Sequence, residues 1–73
     1  MRLLQRLRES QDGGKGISQS ELARRTGTMH SVTVCQIESG YIGKPYGKQL
    51  EALKVALGYE GDATDLLNEV QEG

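Results

Sequence analysis

The sequence predicts an all-α fold, a compact bundle of about five short helices in a single domain spanning residues 1–73. Two sets of leucines recur at helical spacing, one near each end of the chain: Leu3, Leu4 and Leu7, then Leu50, Leu53 and Leu57. Each set forms an apolar stripe along one helical face. Glycine or proline punctuates the stretches between these helices, and no strand is expected.

The composition limits the size of the core and the kind of protein. With 73 residues, no Trp and no Phe, the chain can build only a small, mainly aliphatic core. A single cysteine excludes an internal disulfide and a cysteine-based zinc site, and it fits a reducing cytoplasm. The charged N-terminal stretch is unlike a signal peptide, and no apolar run reaches transmembrane length. We therefore expect a cytoplasmic protein without a membrane segment, metal or cofactor.

The charge is divided unevenly along the chain. Residues 1–57 contain all nine Lys and Arg and five acidic residues, a net charge of +4. Segment 58–73 contains the other five acidic residues and no base. This asymmetry allows one basic surface, with an acidic C-terminal segment directed elsewhere.

The two leucine-rich helices have predictable ends, and a last short helix follows them. The first helix ends near Ser10, and the glycine-rich stretch 11–16 is a loop. Pro45 prevents helix at the residue before it, so the fourth helix starts at Tyr46 or Gly47 and ends at Gly58. The last helix starts at about Thr64, capped by Asp62 or Thr64, and its apolar residues are Leu66, Leu67 and Val70.

Residues 17–40 predict two further helices joined by a glycine-bearing turn, the layout of a helix-turn-helix. Ser18 and Glu21 form an S-x-x-E capping box at the start of the second helix, over roughly 19–26. Gly27 ends that helix. The third helix, over roughly 31–39, buries Val34 and Ile37 on one face. Either His30 or Ser31 caps it, and serine is the better chemical choice.

The segments SQSELARRTG and TVCQIESG, followed by KP and LEALKVALG, resemble the lambda-repressor-like (Cro/CI, XRE) helix-turn-helix family. The resemblance runs from about Leu3 to Leu67. The chain departs from the family pattern twice, with a loop after the first helix about four residues longer and a helix-turn-helix turn one residue longer. The second departure leaves the register of the third helix defined to within one residue.

The resemblance implies a sequence-specific DNA-binding regulator, a repressor of bacterial, archaeal or phage origin. It would bind a palindromic operator as a homodimer with the third helix in the major groove, and it would dimerise through the last helix and the connector at Tyr41 and Ile42. The family pattern assigns base reading to Ser31, Val32 and Gln36, with Thr33 and Cys35 adjacent, phosphate contacts to Ser18, Gln19 and Lys44, and a structural pair to Arg8 and Glu38. For Val32 the alternative is a place in the core.

Two other classes of function can be weighed from the residues. An antitoxin or adaptor would use the acidic segment 58–73 to bind a basic protein partner. An enzyme is not expected, because the sequence has no nucleophile–base pair at a recognisable spacing, no H-E-x-x-H and no phosphate-binding glycine loop. Cys35 could act as a redox sensor, but a lone cysteine on a helix usually serves only as a small, moderately apolar residue, and we favour that interpretation.

Overall fold

The computed structural model describes residues 1–71, and Glu72, an acidic residue of the C-terminal segment, lies outside them together with Gly73. The four α-helices of this range are α1 (Leu3–Glu9), α2 (Gln19–Thr26), α3 (Ser31–Ser39) and α4 (Gly47–Leu57). Two short 3₁₀ helices, Asp12–Gly14 and Ala63–Leu67, accompany them. Residues 1–71 contain no strand, only an isolated antiparallel bridge between Arg2 and Glu69. The all-α prediction is confirmed.

The predicted short last helix is present as the five-residue 3₁₀ helix Ala63–Leu67 with Asp62 as its N-cap, but it is not an α-helix and it ends before Val70. The next residue, Asn68, has an extended backbone with ψ 141°, and its carbonyl accepts a hydrogen bond of 2.7 Å from the backbone N–H of Leu3. The chain therefore leaves the helical conformation to pair with the start of α1. A longer α-helix would forfeit that pairing.

One aliphatic core joins the four α-helices and the 3₁₀ helix Ala63–Leu67. Its buried members are Leu4, Leu22, Ala23, Val34, Ile37, Leu50, Leu53, Leu57 and Leu66. Within this core α2 packs against both α3 and α4, and the 3₁₀ helix Ala63–Leu67 packs against α4 and α1. The apolar stripes expected from the spacing of the leucines are thus the surfaces on which the helices meet.

The acidic C-terminal segment belongs to this domain as far as it is described. Leu66 is fully buried, and the Val70 N–H donates to the Met1 carbonyl at 2.7 Å. Arg6 Nη1 donates to the Gln71 carbonyl at 2.9 Å. The backbone of the segment is therefore held against α1 and the residues before it as far as Gln71.

None of the helices within residues 1–71 combines the length and apolarity needed to cross a lipid bilayer.

The loop between α1 and α2 depends on glycine at Gly16. This residue has φ 83°, and a Cβ at its position would lie 3.0 Å from the Glu9 carbonyl oxygen and 3.2 Å from the Glu9 Cα. Both the left-handed backbone and the close approach to the end of α1 therefore exclude a side chain. By contrast, Gly13 has φ 66° but no atom within 4 Å of the corresponding Cβ.

We expect Gly16→Ala to destabilise the protein more than Gly13→Ala. Each substitution forces alanine into a left-handed conformation at a cost of about 1–2 kcal/mol, but only Gly16→Ala also displaces the backbone of Glu9. Urea unfolding followed by circular dichroism measures the difference. Equal losses of unfolding free energy in the two variants would contradict the proposed packing of Gly16 on α1.

Tyr59 gives the C-terminal segment a contact that depends on pH. Its hydroxyl donates to Asp65 Oδ2 at 2.8 Å. The pKa of Tyr59 is raised above its ordinary value near 10, first by this hydrogen bond and then by partial desolvation and the negative charge of Asp65. Because the folded state favours the neutral phenol, the contact stabilises below pH 10, and this contribution is lost as the pH rises through the raised pKa.

We therefore expect the stability difference between the wild-type protein and Tyr59→Phe to be largest at neutral pH and to close above pH 10. Chemical unfolding of both proteins over this range measures it, and titrations common to both cancel in the difference. A difference that stays constant with pH would show that the hydroxyl and Asp65 are not coupled.

Candidate nucleic-acid interface

The start of α2 is fixed by Ser18, as the sequence predicts. Ser18 has an extended backbone, and its Oγ accepts from the Glu21 N–H at 3.0 Å. The other half of the predicted capping box is wrong, because the Glu21 carboxylate bonds to Arg24 and Arg25. Those two guanidinium groups offer it charged donors, which form stronger bonds than the neutral N–H of Ser18. They also lower the pKa of Glu21, with Arg24 as the larger cause.

The turn between α2 and α3 runs from Gly27 to His30. Gly27 adopts the left-handed conformation, φ 70° and ψ 0°, that ends α2. The N-cap of α3 is His30, so the preference for Ser31 is wrong. The backbone of His30 is extended, with φ −98° and ψ 160°, and its carbonyl accepts from the N–H groups of Thr33 and Val34. Backbone geometry places the cap here without any side-chain bond, which makes Ser31 the first helical residue.

α3 has one buried face and one open face. Val34, Ile37 and Glu38 are buried. On the other side Val32 is 62% exposed, and the thiol of Cys35 is exposed and free. The alternative that Val32 belongs to the core is therefore wrong. The remaining predicted base-reading residues, Ser31, Thr33 and Gln36, are half-buried at the edges of this open face.

The buried carboxylate of Glu38 ties α3 to the two preceding helices. Arg8 holds it with two hydrogen bonds, 2.6 Å from Nε to Oε2 and 3.0 Å from Nη2 to Oε1. Gln19 Nε2 donates to Oε1 at 3.0 Å. The side chains of Arg8 and Glu38 are only 13% and 4% exposed. The sequence predicts a structural pair that ties the third helix to the rest of the fold, and the carboxylate is indeed enclosed where α1, α2 and α3 meet.

Arg8 also connects α1 to the chain before α2, because its Nη1 donates to the Ile17 carbonyl at 2.7 Å. The hydrogen bonds to Glu38 raise the pKa of the guanidinium above its ordinary value, although burial opposes the shift. Arg8 is thus bonded to the N-terminal approach to α2 and to the C-terminal end of α3. The angle between these two helices is held by one side chain from a third.

The predicted phosphate-contacting residues lie in different settings. Ser18 and Gln19 stand at the N-terminus of α2, where the first N–H groups of a helix have no partner within it. One hydrogen of the Gln19 amide is engaged by Glu38, so at most the other can reach a phosphate. Lys44 is exposed in the connector between α3 and α4, and no carboxylate within residues 1–71 forms an ion pair with it.

Part of the expected dimer surface is buried within the protomer. Leu66 is fully buried, and Leu67 and Val70 are half-buried. They are covered because the last helical segment packs against α4 and α1 and completes the core. Tyr41 in the connector is 81% exposed, whereas Ile42 packs against the core. Of the surface proposed from the sequence, Tyr41 is the part that remains free within the protomer.

Sequence reasoning missed the role of Arg2. Its Nη1 donates to the carbonyls of Ile37 and Ile42, at 3.0 and 3.4 Å, and so satisfies backbone acceptors at the C-terminal end of α3. The two bonds span 35 and 40 residues of sequence. No local pattern distinguishes Arg2, the N-cap residue of α1, from the arginines within that helix, so only the packed fold could identify this contact.

Residues 1–71 contain no group of three or more His, Cys, Asp or Glu side chains placed to hold a metal ion.

Comparison of the chain with models of protein families, with curated proteins and with solved structures found no match. Its resemblance to lambda-repressor-like proteins therefore stays a prediction from sequence.

Removing the carboxylate of Glu38 should destabilise the protein strongly. Breaking a buried ion pair leaves an uncompensated charge, and we expect Glu38→Ala to lower the free energy of unfolding by about 3 kcal/mol. Glu21→Ala is the matched control, because it removes a carboxylate that also bonds two side chains, but on an open surface. We expect it to cost a small fraction of that amount. Similar losses in urea unfolding would show that the Arg8–Glu38 pair does not fix the three-helix junction.

Proposed function

We propose that this protein is a sequence-specific DNA-binding transcriptional regulator, a repressor that binds a palindromic operator as a homodimer with α3 in the major groove. The proposal rests on one observation: α3 packs against α2 with one face and leaves the opposite face exposed to solvent. A helix held in this way fits B-DNA's major groove and can present its outer side chains to base edges.

The open face of α3 contains chemistry suited to base recognition. The Gln36 side chain carries both a donor and an acceptor, the pair needed to bond adenine at N6 and N7. Val32, 62% exposed, offers an apolar surface that would suit a thymine methyl group. Ser31 and Thr33 add hydroxyl groups that can donate or accept. An exposed valine between such groups has little structural use in the isolated protomer.

Phosphate groups would be bound by donors that precede and follow α3 in the chain. The N-terminus of α2, with unpaired N–H groups and the free hydrogen of the Gln19 amide, provides one set of donors. Lys44 in the connector provides the other. Arg24 is 77% exposed, but its guanidinium already bonds to Glu21, so we assign it no contact. These donors would position the domain on the duplex, while the α3 side chains select the sequence.

The proposed regulator is a dimer, since one such domain presents only a few base-reading side chains. Two-fold copies would read half-sites about 34 Å apart on one face of the DNA. Selection of binding sequences from a random DNA pool tests this directly. An enriched inverted repeat with that spacing supports the proposal, whereas recovery of unrelated sequences contradicts it.

We expect Gln36→Ala to lose about 1–3 kcal/mol of discrimination at one base pair of the selected site. Fluorescence anisotropy with operators mutated one position at a time measures the loss. Gln5→Ala is the matched control, because Gln5 lies on α1 and bonds only to Glu9 Oε2. An unchanged base preference in Gln36→Ala would place α3 in a different register.

Binding should also weaken steeply with salt, because each phosphate contact releases counterions. We expect Lys44→Gln to reduce the slope of log affinity against log salt by about 1 without changing sequence preference. Lys54→Gln, on α4, should leave the slope unchanged. A flat salt dependence of the wild-type protein would count against DNA as the ligand.

The alternative proposal, an antitoxin or adaptor whose acidic segment binds a protein, has less support from the described part of that segment. Asp65 is bonded to Tyr59, and Glu69 lies 3.3 Å from the Met1 amine. The backbone of residues 68–71 is paired with α1 and the residues before it. Only Glu60 and Asp62 combine an exposed side chain with no ion pair within residues 1–71. Within residues 58–71, two unpaired carboxylates provide only a small charge for binding a basic partner.

A further inference from the structure

A cavity of about 350 Å³ lies where the turn after α2 meets the first half of α4. Its lining consists of Thr28, Tyr46, Lys48, Gln49 and Ala52. The volume falls within the range of small-molecule sites in proteins, about 300–1,000 Å³. It is separate from the open face of α3, whose base-reading residues do not line it.

The lining divides into an apolar part and a part that donates hydrogen bonds. Tyr46 supplies a ring that is 79% exposed, and Ala52 supplies a methyl group on the next turn of α4. Lys48 is four residues before Ala52, so the two lie on the same helical face. A larger side chain at Ala52 would fill the space between the ring and the helix.

The polar groups of the cavity favour an anion. Lys48 is the only charged residue of the lining, and no carboxylate within residues 1–71 pairs with it. Gln49 Oε1 accepts from the Tyr46 N–H at 3.2 Å, which commits the acceptor end of the amide and leaves Nε2 to donate. An ammonium and an amide N–H₂ that both line one cavity are suitable partners for the two oxygens of a carboxylate.

We propose that this cavity binds a small aromatic carboxylate, with its ring against Tyr46 and Ala52 and its carboxylate on Lys48 and Gln49. The ring of the ligand would pack on the apolar part of the lining, and its carboxylate would accept hydrogen bonds from the two donors. The site would bring a metabolite to the turn that joins α2 to α3. Its occupancy does not require DNA, so this proposal can fail while the proposed DNA binding holds.

Titration of the full chain with sodium benzoate, followed by ¹⁵N–¹H correlation spectra, tests the proposal. We expect saturable shifts confined to the backbone amides of Thr28, Lys48, Gln49 and Ala52 and their neighbours. Sodium acetate, which lacks the ring, and benzyl alcohol, which lacks the charge, should each leave these amides nearly unmoved. Equal shifts with acetate would reduce the site to a simple anion site, such as one for a DNA phosphate, and would overturn the proposal.

Two variants locate the ligand within the cavity. Lys48→Gln should weaken benzoate binding about tenfold, the loss of one charge-assisted hydrogen bond, while Lys54→Gln on the same helix should leave it unchanged. Ala52→Leu should abolish binding by filling the cavity. Because Lys48 is exposed, Lys48→Gln should leave the fold intact. It therefore tests the proposal even if Ala52→Leu disturbs folding. Unaltered binding in Lys48→Gln, or shifts that never saturate, would overturn the proposal.

Discussion

The Glu38 carboxylate is the constraint on which the rest of this structure depends. A charge with 4% of its side chain exposed is tolerated only if its oxygens are satisfied. Here they accept from Arg8 on α1 and Gln19 on α2, so the need to satisfy one carboxylate brings three helices to one point. Aliphatic packing supplies most of the driving force for folding, but it is not directional. The ion pair adds direction, and it sets how α3 is presented to solvent.

Much of the helical layout could be predicted, because its signals are local. Glycine at positions 27, 40 and 58, Pro45 and the Ser18 cap act within a few residues of themselves, and the bounds predicted for α2 and α3 agree with the structure. The last helical segment was predicted less well. Its conformation is set by pairing with residues more than sixty positions away, and local propensity contains no information on that pairing.

In the candidate site, too, locally determined features could be predicted and features that depend on long-range packing could not. That Val34 and Ile37 face inward follows from their helical spacing, and the pairing of Arg8 with Glu38 follows from the family resemblance. The burial of that pair, the bond from Gln19 and the contacts of Arg2 depend on how helices approach one another in space. His30 replaced Ser31 as the cap because backbone conformation outweighed the hydrogen-bonding advantage of serine. Base reading by α3 was inferred from resemblance alone, and its open face is the feature on which the proposal now rests.

The pairing of the C-terminal segment with α1 has a consequence for how the ends of the chain support α3. The bond between the Leu3 N–H and the Asn68 carbonyl closes almost the whole chain into a ring, and a contact of such sequence separation carries a large loop-closure entropy. Contacts between α2 and α3, by contrast, join helices that are neighbours in the sequence, so the loops that they close are short and cost less entropy. The same helix, α1, also carries Arg8, the side chain that bonds to Glu38 of α3. The placement of α3, the helix proposed to read DNA, is thus linked through Arg8 on α1 to backbone contacts made by the opposite end of the sequence.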